Sequence, residues 1–69
     1  MEELRKKYFE RLNTFSGSCY IISKELLNYR YGELYGLLDS MRILDMIPFE
    51  EYLCLMNELN KIYNKALYY

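Results

Sequence analysis

Residues 44–52, LDMIPFEEY, contain the sharpest helix boundary in the sequence. Proline is tolerated at the start of a helix but not in its interior, because it has no N–H to donate and its ring clashes with the preceding turn. Glu50 and Glu51 then place negative charge in the first turn, where the helix dipole favours it. The sequence therefore predicts a helix that begins within one residue of Pro48.

The residues before Pro48 predict the end of the preceding helix. Asp45 is expected to close that helix, in a left-handed conformation that aspartate tolerates better than most residues. The resulting Asp45–Pro48 connector is tight, two or three residues in all. Connectors this short join helices that are antiparallel neighbours or that cross sharply.

The last helix carries apolar side chains over more of its circumference than one neighbouring helix would cover. An apolar stripe with two residues in most turns runs along this helix, and Leu55 makes the stripe wider. We therefore expect this helix to touch two surfaces, one of them in its own chain. The stripe comprises Phe49, Tyr52, Leu53, Met56, Leu59, Ile62, Tyr63, Ala66 and Leu67.

The first residues of the chain predict a helix from Glu2 to Phe15, with apolar side chains on one face. After it, Ser16, Gly17 and Ser18 favour a break, because glycine and serine are poor residues for a helix interior. The apolar spacing nevertheless continues across them. Either the first helix bends and goes on, or a tight turn makes Ser18 the cap of a second helix. We favour the turn, since one very long helix would leave little chain to fold back upon it.

The middle of the chain has two interpretations as well. Residues 29–32 could end one helix while the apolar residues from Leu34 to Leu44 form another, or a single kinked helix could span the region. Gly32 and Gly36 have the spacing of a close helix contact, and we interpret them as a bend plus such a contact. The sequence thus predicts an all-α fold, a bundle of three to four helices in one domain, residues 1–69.

Composition limits what this domain can do. The chain has 69 residues, 52% of them hydrophobic, with nine basic and ten acidic side chains. The near-balance of charge, which holds in every third of the chain, argues against nucleic acid as a partner. A small core cannot hide this much apolar surface, so we expect self-association, plausibly as a homodimer.

The sequence also predicts the cellular location of the protein. The charged start, MEELRKK, is unlike a secretory signal, and the longest run without a charge, residues 12–23, is too short to cross a membrane. Cys19 and Cys54 have neither CxxC spacing nor a histidine to assist them, which fits reduced, semi-buried thiols. We expect a cytoplasmic protein with no membrane contact.

The sequence predicts no enzyme, no catalytic residues, no metal site and no cofactor. Without histidine the chain has no imidazole base or ligand. Glu50 and Glu51 are adjacent and so point apart on a helix, and no glycine-rich phosphate loop is present.

A DNA-binding regulator is the alternative hypothesis. Residues 22–27, Gly32 and residues 34–41 resemble a helix-turn-helix, whose dimer would present residues 33–44 to a groove. Three features argue against this hypothesis. The second helix would start too soon after the turn, and Pro48 lies where the wing of a winged-helix domain would follow. Arg42 is almost the only cation on the segment that would contact the groove.

The nine tyrosines point instead to protein binding. Tyrosine combines a large apolar ring with a polar tip, and with arginine it is enriched in binding hot spots. The simpler interpretation is that these rings line the rim of a small core. We predict an interaction protein of the kind found among adaptors, regulators and inhibitors, including those of phages and mobile elements. Its predicted partner-binding residues are Tyr20, Tyr29, Arg30, Tyr31, Tyr35 and Arg42.

Overall fold

The fold is all-helical, as predicted, and has three helices. The computed structural model describes residues 2–68, with Glu2 described by its backbone only. The helices are α1 (Glu2–Ser18), α2 (Lys24–Ile43) and α3 (Phe49–Leu67). A fourth helix, which the sequence left open, is not found in the described part of the chain.

The boundary between α1 and α2 lies later than predicted. The Ser16–Ser18 stretch belongs to α1, and the Ser18 hydroxyl donates backwards to the Thr14 carbonyl at 2.8 Å instead of capping a new helix. Ser23 is the cap: its backbone is extended, and its hydroxyl oxygen accepts the Leu26 amide at 3.1 Å. Burial of Phe15 and Cys19 on one face explains the difference, because α1 must continue to Ser18 to bring Cys19 into the core.

The middle of the chain forms one helix, as the single-helix alternative predicted, and the helix end considered for residues 29–32 is not found. Leu27, Leu34, Leu38 and Met41 are all buried on one face of α2. Each buried aliphatic side chain stabilises the fold by about 1.5–3 kcal/mol, which exceeds the roughly 1 kcal/mol that a glycine costs a helix. The close contact expected at Gly32 and Gly36 is also missing, since a Cβ at either would find no atom within 4 Å.

The end of α2 follows the prediction for Asp45, which has a φ of 55°. The amide of Asp45 donates to Arg42 and that of Met46 to Met41, at 3.0 and 2.8 Å. This pair of hydrogen bonds is the Schellman arrangement, which satisfies carbonyls that a helix end leaves unpaired. The link to α3 comprises residues 44–48 and is longer than the two or three residues expected.

The start of α3 also agrees with the prediction, with Pro48 as N-cap and Phe49 as the first helical residue. Leu55 and Met56 are buried, whereas Phe49 and Leu53, at the edge of the same apolar stripe, are exposed. The chain itself therefore covers only part of the apolar stripe of α3.

The core is formed by all three helices together with the link between α2 and α3, and α2 packs against both other helices. Tyr8 is completely buried, and its hydroxyl has no hydrogen-bond partner among the described residues. Burial, with a smaller effect of the nearby Glu58 charge, raises the pKa of Tyr8 to about 12. The core residues are Tyr8, Leu12, Phe15, Cys19, Leu27, Leu34, Leu38, Met41, Ile47, Leu55, Met56 and Leu59.

Between residues 2 and 68, no helix combines the length and the apolarity needed to cross a membrane.

Candidate protein interface on the second and third helices

Three tyrosine hydroxyls tie α2 to α3. Tyr31 donates to Asn60 at 2.6 Å, and Tyr52 donates to Asp39 at 3.0 Å. Tyr63 donates to Asn28 in a third bond of the same kind. From Asn28 to Tyr31 and then Asp39 along α2, the bonded partners run backward along α3 by the same numbers of residues, from Tyr63 to Asn60 and then Tyr52. The two helices are therefore antiparallel, and these bonds fix their register.

Aromatic rings fill the space between these hydrogen bonds. Tyr31 stacks on Tyr63, with 4.2 Å between ring centroids, and its other neighbour Tyr35 lies 6.0 Å away in a tilted orientation. Tyr31 and Tyr63 are half-buried, while Tyr35 is 41% exposed. Two rings of this cluster are therefore held by the fold, and the third is presented to solvent.

Arg42 continues this group of aromatic side chains toward the link between α2 and α3. Its guanidinium carbon lies 4.8 Å from the Phe49 ring centroid and 5.2 Å from that of Tyr52. Among the described residues no carboxylate pairs with it, so the two rings are what orient this cation. A guanidinium oriented by aromatic faces keeps its N–H groups free for other acceptors. We call the set Tyr31, Tyr35, Arg42, Phe49, Tyr52 and Tyr63 the aromatic seam.

Two hydroxyls of the seam, those of Tyr31 and Tyr52, have a raised pKa. Burial raises the pKa of Tyr31, and the neighbouring Tyr35 and Tyr63 add to the effect. Burial also raises the pKa of Tyr52, as do its hydrogen bond to Asp39 and that carboxylate's charge. At neutral pH both phenols therefore remain hydrogen-bond donors.

The predicted binding residues fall into separate groups. Tyr31, Tyr35 and Arg42 come together in the aromatic seam, on the side of α2 that faces α3. Tyr29 projects from another side of α2 and is 66% exposed, and Tyr20 lies in the turn between α1 and α2. The six residues therefore do not form one surface.

Arg30 lies in a third location, where it lines a groove between α1 and α2. The empty volume of this groove, including the part open to solvent, is about 770 Å³. The floor of this groove is apolar. Its rim carries two cations and two anions, of which Arg11 and Glu33 form an ion pair at 3.1 Å. The apolar floor comprises Phe15, Ile22, Leu26 and Leu34.

Sequence reasoning missed half of the seam, namely Phe49, Tyr52 and Tyr63. All three were placed on the apolar stripe of the last helix, but none was assigned to the binding surface. The tight boundary at Pro48 indicated only that the two helices are antiparallel neighbours or cross sharply. The rotation of α3 about its own axis decides which of its rings meet α2, and no local signal encodes it.

The two cysteines differ from each other. Cys19 is buried, as expected for a small apolar residue, whereas Cys54 is exposed on α3. Both are free thiols. Among the side chains that the structure describes, no three acidic or cysteine residues group in a way that could hold a metal ion.

No protein-family profile matches the chain, and comparisons with curated proteins and with solved structures found no match. The side chains of the seam and their surroundings are thus the basis for a functional proposal.

Proposed function

We propose that this protein is a non-catalytic interaction protein of the cytoplasm, an adaptor, regulator or inhibitor that self-associates and binds another protein through the aromatic seam. The observation that supports this most directly is Arg42, held over the rings of Phe49 and Tyr52 without a carboxylate partner in the described chain. Tyrosine and arginine side chains of this kind dominate the free energy of binding at protein interfaces.

Preorganisation strengthens the proposal. Binding costs free energy for every side chain that must be immobilised, about 0.5–1.5 kcal/mol each. The stack of Tyr31 on Tyr63 and the hydroxyl bonds to Asn60 and Asn28 hold these rings before any partner arrives. A partner that packs on Tyr35 would therefore meet a surface whose supporting residues are already in place.

The DNA-binding alternative has less support. It needs a turn near Gly32 and a separate reading helix from residue 33, whereas residues 24–43 form one continuous helix. Binding to phosphates would also require several exposed cations on one surface, and α2 has only Lys24, Arg30 and Arg42 along its length.

The test is comparative affinity capture with Tyr35→Ala and Tyr29→Ala. Both residues lie on α2 and are exposed, but only Tyr35 belongs to the seam. We expect Tyr35→Ala to weaken capture of the native partner by about tenfold or more and Tyr29→Ala to leave it unchanged. Tyr31→Ala is less informative, because it also removes a stacking contact and a hydrogen bond within the fold.

Circular dichroism of both variants checks that the helices persist. Equal capture by wild type and Tyr35→Ala would contradict the proposal. A steep loss of affinity for duplex DNA with rising salt would instead support the DNA-binding alternative, since a tyrosine-rich protein interface depends little on ionic strength.

A further inference from the structure

The link between α2 and α3 and the helix ends beside it carry four large apolar side chains that are exposed. Ile43 is 78% exposed, Leu44 61%, Phe49 54% and Leu53 45%. Ile43 and Phe49 line one shallow depression, and Leu53 lies one turn beyond Phe49 on α3. We call these four residues the connector patch.

Charged side chains of both signs border the connector patch. Arg42 and Asp45 line the same depression as Ile43 and Phe49, and Glu50 follows Phe49 in the first turn of α3. Among the described residues none of Arg42, Asp45 and Glu50 is ion-paired. The ion pairs in the described part of the chain join Arg5 with Glu51 and Arg11 with Glu33.

A surface with an apolar centre and unpaired charges of opposite sign at its border is complementary to itself. In a two-fold arrangement each patch meets the same patch of the other copy, so that the cation of one chain faces the anions of the other. A partner with a purely acidic or purely basic surface would leave one sign of charge unpaired. The charge pattern therefore favours a second copy of this chain over a different protein.

We infer that two copies of this chain associate through the connector patch about a two-fold axis, with Arg42 of each copy facing the acidic border of the other. The inference rests on the proposed function, because it identifies one surface and one partner for the self-association. It leaves Tyr35, farther along the seam, available to another protein.

The size of the patch fits this occupant. Four large side chains exposed to this degree present on the order of 400 Å² of apolar surface. A standard interface buries about 800 Å² on each partner, somewhat more than half of it apolar. The connector patch with its charged border is thus close to the area that a stable dimer needs.

Sedimentation equilibrium of the full chain between about 1 μM and 1 mM tests the inference, a range that covers dissociation constants typical of small dimers. Wild type should fit a monomer–dimer equilibrium. We expect Ile43→Ser to weaken it by at least about tenfold. The control is Ile21→Ser, which alters an even more exposed residue, 84%, in the turn between α1 and α2, and should leave the equilibrium unchanged.

A charge swap tests the arrangement of the two copies. Arg42→Glu alone and Glu50→Arg alone should each prevent dimerisation. In a dimer of either variant, residue 42 of each copy would face a residue 50 of the same charge on the other copy. A mixture of the two variants should form a heterodimer, since both pairs between positions 42 and 50 then carry opposite charges. Circular dichroism of each variant confirms that α2 and α3 remain folded.

Two results would overturn the inference: a monomeric wild type across the whole range, or a dimer that Ile43→Ser and the charge swap do not affect. Neither result bears on the capture experiment with Tyr35→Ala. Failure of the dimer and failure of the proposed partner binding are therefore distinguishable.

Discussion

The hydroxyl of Tyr31 on α2 donates a hydrogen bond to the side-chain oxygen of Asn60 on α3, 2.6 Å away. This bond joins two residues far apart in the chain and lies beside the stacked pair of Tyr31 and Tyr63. Removing this bond therefore tests the stability of the α2–α3 interface alone.

Tyr31→Phe should lower the free energy of unfolding by about 1 kcal/mol, the usual contribution of one such hydrogen bond, while the ring contacts stay. Urea denaturation measures the change. Tyr29→Phe is the matched control, because the exposed Tyr29 makes no hydrogen bond among those described, and it should have no effect. A similar loss in both variants would mean that the bond to Asn60 does not contribute to stability.

Tyr8→Phe should raise the free energy of unfolding, by up to about 1 kcal/mol. The Tyr8 hydroxyl is completely buried and has no partner in the part of the chain that the structure describes, and an unsatisfied buried polar group costs about 1–3 kcal/mol. Replacement by phenylalanine removes that cost and leaves only a small gap. Thermal or urea unfolding of the variant gives the value, and a clear loss of stability would show that the hydroxyl has a partner such as a bound water.

Alkaline pH should destabilise wild type more than Tyr8→Phe. The pKa of Tyr8 rises from 10.0 to about 12 on folding, so the unfolded chain loses the proton first. Ionisation of Tyr8 therefore does not affect the free energy of unfolding well below pH 10, and lowers it as the pH rises from 10 toward 12, by at most roughly 1.4 kcal/mol per pH unit. Unfolding free energies of the two proteins at pH 9 and pH 11 test this, and parallel losses would contradict it.

Ser23→Ala should lower the free energy of unfolding by about 1 kcal/mol, because it removes the side-chain cap of α2. Ser18→Ala should have a much smaller effect, since the Ser18 hydroxyl donates to a carbonyl of its own helix. Chemical denaturation of the two variants therefore distinguishes the boundary in the structure from a boundary at residues 16–18. A larger loss for Ser18→Ala would place the cap at Ser18.

Gly36→Ala should stabilise the protein by about 0.5–1 kcal/mol. The residue lies inside α2, and a methyl group there would meet no atom within 4 Å. Alanine favours the helix and reduces the conformational freedom of the unfolded chain. Thermal unfolding measures the gain, and destabilisation would indicate that something packs closely against this side of α2.

The candidate binding surface was predictable only in part. Tyr31, Tyr35 and Arg42 were identified because tyrosine and arginine are characteristic of interfaces, and the structure brings those three together. The same argument also selected Tyr20 and Tyr29, which lie elsewhere. Composition identifies kinds of side chain, but it contains no information on which of them share a surface.

The sequence by itself determined the helical class, the start of α3 at Pro48 and the left-handed Asp45 that ends α2. These features follow from short-range chemistry, a proline without an N–H and an aspartate that accepts a positive φ. Tertiary structure decided that α2 is one continuous helix and that Tyr31 meets Tyr63. Those outcomes depend on burying side chains from distant segments together, and that free energy exceeds the local preferences of residues such as Gly32.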